Sequence, residues 1–145
     1  MQVRHILKDK GSAVIGIAPT ATLAEAAALL NEKRIGAVVA RDGNNVLAGI
    51  LSERDVVRAL AADGASALEH AVDRYLTRDV VTCGLSDTCE DLMEMMTRGR
   101  FRHVPVLDGD GKLCGLISIG DVVKNRIAET VREAEELRVY ISATA

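Results

Sequence analysis

The sequence predicts an α+β chain made of two copies of one unit, each running β-α-β-β-α. Three observations carry this. First, residues 14–58 and 80–124 align without a gap at an offset of 66 positions, the mark of a tandem duplication. Val14, Thr22, Arg34, Val38, Asp42, Gly43, Leu47, Gly49, Ser52, Asp55, Val56 and Val57 meet identical residues at Val80, Thr88, Arg100, Val104, Asp108, Gly109, Leu113, Gly115, Ser118, Asp121, Val122 and Val123. Second, each copy has two short apolar runs around an Asp-Gly turn: 38–40 and 47–51 about Asp42-Gly43, 104–107 and 113–117 about Asp108-Gly109. Such runs read as a β-hairpin, because Gly tolerates φ > 0 and Asp bonds its own backbone. Third, a Thr-capped helix precedes each hairpin, and Ser-x-x-Asp opens a helix after it.

Taken in order, Val3 to Leu7 is a short apolar piece, followed by a turn at 8–12. Residues 14–17 suit a short strand. Thr22 and Glu25 form a capping box, in which each side chain satisfies a free N–H at the helix start. The helix 23–33 is expected to bury Ala26, Ala27, Leu29 and Leu30, with Gly36 marking its end region. After the hairpin, a helix from 52 to about 62 places Val56, Val57 and Leu60 at helical spacing, and Asp63-Gly64 breaks it. Leu68, Val72 and Leu76 recur every fourth residue, so 65–76 reads as a structured helical connector. In the second copy 80–83 is the strand, Ser86 or Thr88 the cap, and Leu92, Met93, Met95 and Met96 lie on the helix. The methionines read as core packing, because Met93 and Met95-Met96 align with Ala27 and Leu29-Leu30. The last helix is expected from about 119 to 139, with the charged part 129–138 solvated. The domain organisation that follows is repeat 1 over 1–64, connector over 65–77 and repeat 2 over 78–145.

Composition narrows the functions. Hydrophobic residues make up 48% of the 145 residues but aromatics only 2%, so the core is aliphatic. Stacking surfaces for single-stranded nucleic acid need exposed aromatics. The net charge is −3, without a basic stripe, and nucleic acid is not an expected partner. No stretch is long and apolar enough to span a membrane, and the first residues lack the apolar region of a signal peptide, so a cytoplasmic location is expected. Cys83, Cys89 and Cys114 align with Ile17, Leu23 and Ala48, so they read as buried thiols; no metal site is expected.

Each Ser-x-x-Asp, at Ser52 and Asp55 and again at Ser118 and Asp121, lies where a strand ends and a helix begins. Free N–H groups there attract an anion, a Ser hydroxyl adds a donor, and the Asp carboxylate is able to accept from a diol. Phosphate donors beside a diol acceptor suit a ribose phosphate. Helix capping alone also accounts for the pair. His103 and Pro105 align with Ala37 and Val39, so the copies are not equivalent. Pro105 lacks an N–H and is expected on a sheet edge or at a strand end. His103 with Arg100 and Arg102 reads either as a cationic group for phosphate or as a packed His with two solvated arginines. Arg54 stands where the second copy has Gly120 and is a candidate to reach phosphate across the cleft.

These marks resemble the CBS domain (cystathionine-β-synthase type), here as a pair: a strand carrying His103 and Pro105, a Gly-led strand running into Ser-x-x-Asp twice, and the capped helix before each hairpin. The resemblance covers roughly residues 1–130. It implies two repeats packed sheet to sheet about a pseudo-two-fold axis, forming a homodimer through their helices. It also implies clefts that bind adenosine nucleotides: AMP, ADP, ATP or NAD(H). Ribose and phosphate would meet Ser52, Arg54, Asp55, Arg102, His103, Pro105, Ser118, Gly120 and Asp121. Adenine would lie between Asp79 and Val80, or Ala13 and Val14, and the strand ending at Ile117 or Leu51. The expected role is a regulatory or sensor module, without catalytic residues, acting on an effector protein that the sequence does not name. The alternative is a constitutive homodimerisation scaffold with non-functional sites, and a third reading is an enzyme acting on a nucleotide. Residues 115–120 are not G-x-S-x-G, because Leu116 stands where the first Gly is needed. No triad and no P-loop is present, and Lys112 spoils the calcium-loop likeness of residues 108–112.

Overall fold

A computed structural model describes residues 1–144. Helix α1 (Val3–Lys10) is followed by β1 (Gly16–Ile17), α2 (Leu23–Lys33), β2 (Ala37–Arg41), β3 (Leu47–Ser52) and α3 (Glu53–Asp63). Two 3₁₀ turns, Gly64–Glu69 and Val72–Arg74, lead to β4 (Cys83–Gly84), α4 (Cys89–Gly99), β5 (His103–Leu107), β6 (Leu113–Ser118) and α5 (Ile119–Thr144). The predicted β-α-β-β-α order thus occurs twice. Each repeat holds a three-stranded sheet, β1-β2-β3 or β4-β5-β6, with the first pair parallel and the second antiparallel. The hairpin register slips at Ala40 and Arg41, and again at Val106 and Leu107, one repeat later.

Capping explains where the helices begin. Thr22 and Glu25 make the predicted capping box on α2, and Thr88 makes one with Asp91 on α4. Helix α2 ends at Arg34, which takes a left-handed conformation (φ 53°), rather than at Gly36. Arg100 ends α4 in the same way (φ 56°). A non-glycine residue there costs on the order of 1 kcal/mol.

Several expectations are corrected. The apolar piece from Val3 to Leu7 is helical, because Val3, Ile6 and Leu7 share one face and all are buried. The connector is not one helix. Leu23 N donates to His70 O (2.9 Å) and Val72 N to Ala21 O (2.8 Å), which holds His70 and Ala71 extended between the two 3₁₀ turns. On α3, Val57 (65% exposed) and Leu60 (39%) face out, while Asp55 and Ala59 face in. On α2, Ala26 and Leu30 are buried while Ala27 and Leu29 are half-buried, and on α4 Met96 is buried but Met93 is exposed. Helix α5 runs on to Thr144 and is exposed on all sides from Thr130 onward, whereas Glu129, expected in the solvated part, is only 11% exposed and pairs with the Met1 ammonium.

The strands expected at 14–17 and 80–83 both shrink to two residues, Gly16–Ile17 and Cys83–Gly84, and Pro105 accounts for β4 starting one position later than β1. In the first repeat Val39 N donates to Ile15 O at 3.4 Å. Its counterpart Pro105 has no N–H, and Val81, the counterpart of Ile15, is left 45% exposed. Pro105 therefore sits in the middle of a central strand, not on an edge or at a strand end. It is tolerated because its nitrogen faces the short side, where β4 pairs only from Val106 onward.

Two aliphatic cores result, and each borrows from outside its repeat. The first joins Leu23, Ala26, Leu30, Val38, Leu51 and Ala59 to Ala67 and Val72 of the connector. The second joins Cys83, Cys89, Leu92, Met96, Val104, Val106, Ile117 and Val122 to Val3, Ile6 and Leu7 of α1. Leu7 lies so close over β6 that a Cβ on Gly115 would come within 2.6 Å of its Cδ2. Strand alternation turns Val39 and Pro105 away from these cores, yet both are buried, so the opposite sheet faces are covered as well. Cross-repeat bonds join the hairpins, Asn45 Nδ2 donating to Leu113 O at 3.1 Å and Lys112 Nζ to Asn44 O at 3.4 Å. Burial raises the Cys83 thiol to about 12, which leaves it an inert core residue.

Candidate functional site

Strand β3 runs directly into α3, and β6 into α5, so each Ser-x-x-Asp stands at a strand end and a helix start. Asp55 Oδ2 accepts from Ser52 N (2.8 Å) and Ser52 Oγ (3.0 Å), and Asp55 N donates to Ser52 Oγ (3.3 Å). Asp121 Oδ2 accepts from Ser118 N (2.8 Å) and Ser118 Oγ (2.9 Å), and Asp121 N donates to Ser118 Oγ (3.2 Å). Both pairs are therefore reciprocal caps. Each cap spends one carboxylate oxygen and the Ser hydroxyl proton, and leaves the Oδ1 oxygens to account for.

Those oxygens differ. Asp55 Oδ1 accepts from Thr77 Oγ1 at 3.3 Å, with Arg58 Nη1 at 3.8 Å, and its side chain is only 8% exposed. No hydrogen bond reaches Asp121 Oδ1 among the described residues, and that side chain is 21% exposed. Its other oxygen also receives Lys10 Nζ at 2.5 Å, and the same ammonium donates to Leu116 O at 2.7 Å. Burial alone would raise the Asp121 pKa, but the Lys10 ammonium and the Ser118 donors outweigh it and hold the carboxyl below its ordinary range.

His103 opens β5 opposite Ser118 and lies beside Gly36 of the other repeat, where a Cβ would meet its ring at 3.2 Å. Burial, with the Lys10 ammonium second, depresses its pKa below 6.5, so the ring is neutral at pH 7. Of the three residues read as a cationic group or a packed His with two solvated arginines, Arg100 caps α4 and is exposed, Arg102 is exposed, and His103 is half-buried. Arg102 O instead accepts the first helical N–H of α5, from Ile119 at 2.8 Å, as Gly36 O does from Glu53 at 3.0 Å. Arg54 and Gly120 are exposed in the first turns of α3 and α5, Asp79 is exposed and Val80 half-buried. The side chains of Ile117 and Leu51 are fully buried in the two cores. Their neighbours Leu116 and Ile50 carry the carbonyls that face Lys10 and Thr77.

Lys10, Thr77 and Leu116 were not among the residues expected from sequence. Lys10 was within reach, because Val3, Ile6, Leu7 and Lys10 fall on one helical face. Concavities of about 680 Å³ lie between α1 and α5, lined by Glu90, Arg126 and Glu133 among others, of about 440 Å³ beside Met95 and Phe101, and of about 320 Å³ beside Arg34 and the first turn of α3 at Glu53 and Val56. Lys10 and Thr77 lie across the two carboxylates.

The CBS-domain family profile matches residues 4–62 and 72–128. The chain belongs to the CBS-domain family. It is similar to the mitochondrial CBS domain-containing protein CBSX3 of Arabidopsis thaliana, 31% identical over 96% of this chain and 71% of that one. Among solved structures it is similar to the CBS-domain containing protein ATU1752 of Agrobacterium tumefaciens: 47% identity, TM-score 0.84, covering 87% of this chain and 99% of that one. It is also similar to PAE2072 of Pyrobaculum aerophilum, complexed with AMP: 27% identity, TM-score 0.74, covering 83% and 89%. The chain spans 64%, 71% and 26% of the lengths of three curated relatives it matches. The two-repeat α/β architecture is that of CBS pairs. No helix among the described residues is long and apolar enough to cross a membrane.

Proposed function

We propose that this CBS pair is a non-catalytic sensor that binds an adenosine nucleotide (AMP, ADP, ATP or NAD(H)) at its Ser-x-x-Asp ends and passes the bound state to an effector protein. The observation that carries it is the Ser118–Asp121 end: a helix N-terminus beside a carboxylate that is held ionised and keeps one oxygen unused. That oxygen is an acceptor for a ribose hydroxyl, and the helix start favours phosphate. The AMP complex of the similar Pyrobaculum protein supports the choice of ligand class. The mechanism is linkage: a ligand that prefers one packing of the two repeats shifts the population toward it.

The competing reading is a homodimeric scaffold with closed sites. It has its own support, since Lys10 and Thr77 cover both carboxylates, and Val57, Leu60, Val123, Ile127 and Val131 are exposed along α3 and α5. In that reading the homodimer contact lies on this surface of α3 and α5. Native mass spectrometry of freshly purified protein, followed by melting with AMP, ATP and NAD, separates the readings. A sensor retains a nucleotide mass, or gains about 3 kcal/mol of stability at a hundredfold excess of ligand over Kd. Nucleotide-free protein whose melting is unmoved by any of them is a scaffold.

A further inference from the structure

The two carboxylate ends are covered by different chemistry. In the first repeat the cover is backbone. Ile50 N donates to Thr77 O and Thr77 N to Ile50 O, both at 3.0 Å, and the Thr77 hydroxyl then reaches Asp55. A Cβ on Gly49 would come within 2.6 Å of Thr77 O, so this segment lies tight against β3. In the second repeat Leu116 stands where Ile50 does, and its carbonyl accepts Lys10 Nζ. One ammonium thus takes the place of both a backbone amide and a hydroxyl. Moving Thr77 off Asp55 breaks two backbone hydrogen bonds. Moving Lys10 off Asp121 takes only rotamer changes of a side chain that is 36% exposed, a motion of picoseconds to nanoseconds.

We propose that Lys10 is a tethered cation that makes the Asp121 end selective for phosphorylated nucleosides over neutral ones. This rests on the nucleotide reading above. One hydroxyl of a ribose diol takes the free Oδ1 of Asp121, and the second competes with Lys10 for Oδ2 and displaces the ammonium. A neutral nucleoside then leaves Lys10 without an anionic partner. A 5′-phosphate, carried on the same sugar and within the sweep of a four-carbon stem, supplies a new one. The neutral His103 ring does not duplicate that charge.

The test is calorimetry of adenosine and AMP on nucleotide-free full-length protein, for the parent, Lys10→Met and Lys10→Arg. Methionine keeps the apolar stem and removes the charge; arginine keeps the charge. The expected result is that the parent prefers AMP, that Lys10→Met binds adenosine more tightly and AMP more weakly, and that the preference falls by about tenfold, the scale of one charge-assisted bond. Lys10→Arg should retain most of the preference. A fold requirement for Lys10 would weaken both ligands together and leave their ratio unchanged, and that outcome overturns the proposal. Binding of AMP by the parent with the same ratio in Lys10→Met sinks the role of Lys10 alone. Binding of neither ligand by the parent sinks the nucleotide reading and this inference with it.

Discussion

The two repeats agree wherever a single turn of chain decides the geometry and part company wherever a distant segment arrives. Their Ser-x-x-Asp caps have the same three bonds, at 2.8, 3.0 and 3.3 Å in one and 2.8, 2.9 and 3.2 Å in the other. Their covers share nothing: a threonine on a paired backbone in one, a lysine at a helix end in the other. Duplication copies local chemistry exposed to the same strand-to-helix junction. The pieces that precede each copy, α1 and the connector, have different sequences and so bring different groups to equivalent places.

The largest effect tests whether the cores are as equivalent as they look. Leu51→Ala and Ile117→Ala each remove a fully buried side chain and should each cost about 2–5 kcal/mol in urea unfolding. A gap of more than about 2 kcal/mol between them would mean that the borrowed elements support the cores unequally. Next come the glycines beneath the covers. Gly49→Ala drives a methyl into the Thr77 carbonyl, which is backbone, whereas Gly115→Ala meets the movable end of Leu7. We expect a loss of about 2–3 kcal/mol for the first and about 1 kcal/mol for the second. The reverse order would show that α1, not the connector, is the stiffer cover.

Removing the carboxylates sharpens the contrast between stability and binding. Asp55→Ala and Asp121→Ala should each lose about 1 kcal/mol of stability with the cap. AMP affinity should fall roughly tenfold for Asp121→Ala and little for Asp55→Ala, whose free oxygen is already taken by Thr77. Calorimetry showing equal losses would make the two ends functionally equal.

The smallest effect is a pH slope confined to the second repeat. The folded His103 pKa lies below its ordinary value of 6.5, so the unfolded chain binds more protons than the folded one between the two. Stability is then fully present above pH 6.5 and declines as pH falls through the folded pKa. His103→Gln should flatten that part of a stability-versus-pH curve; an unchanged slope would assign it to another group.

The legible parts of the sequence are those that the offset of 66 reveals twice. The hairpins, the capped helices and both Ser-x-x-Asp junctions lie where the residues place them. The strands at 14–17 and 80–83 misled because apolar residues alone do not say how far a neighbouring strand pairs: both are two residues long, and in the second Pro105 also removes the pairing position equivalent to Gly16–Val39. The connector misled for a related reason: the every-fourth spacing of Leu68, Val72 and Leu76 is genuine, but bonds to Ala21 and Leu23 open the helix between them. Lys10 is the hardest case. Its place on the buried face of α1 can be read locally, but the residue it meets is Asp121, in the other repeat.

The placement of α1 in the second core also dictates an order of events on the ribosome. Val3, Ile6 and Leu7 emerge ahead of both repeats, yet β6 and Val122, against which they pack, are made roughly a hundred residues later. At translation rates of about 5–20 residues per second, that apolar face waits on the order of ten seconds for its partners. The first repeat has no such delay at its front, because its borrowed pieces, Ala67 and Val72, follow within a few residues of α3. The nascent chain therefore completes its first half while carrying an unmatched helix ahead of it.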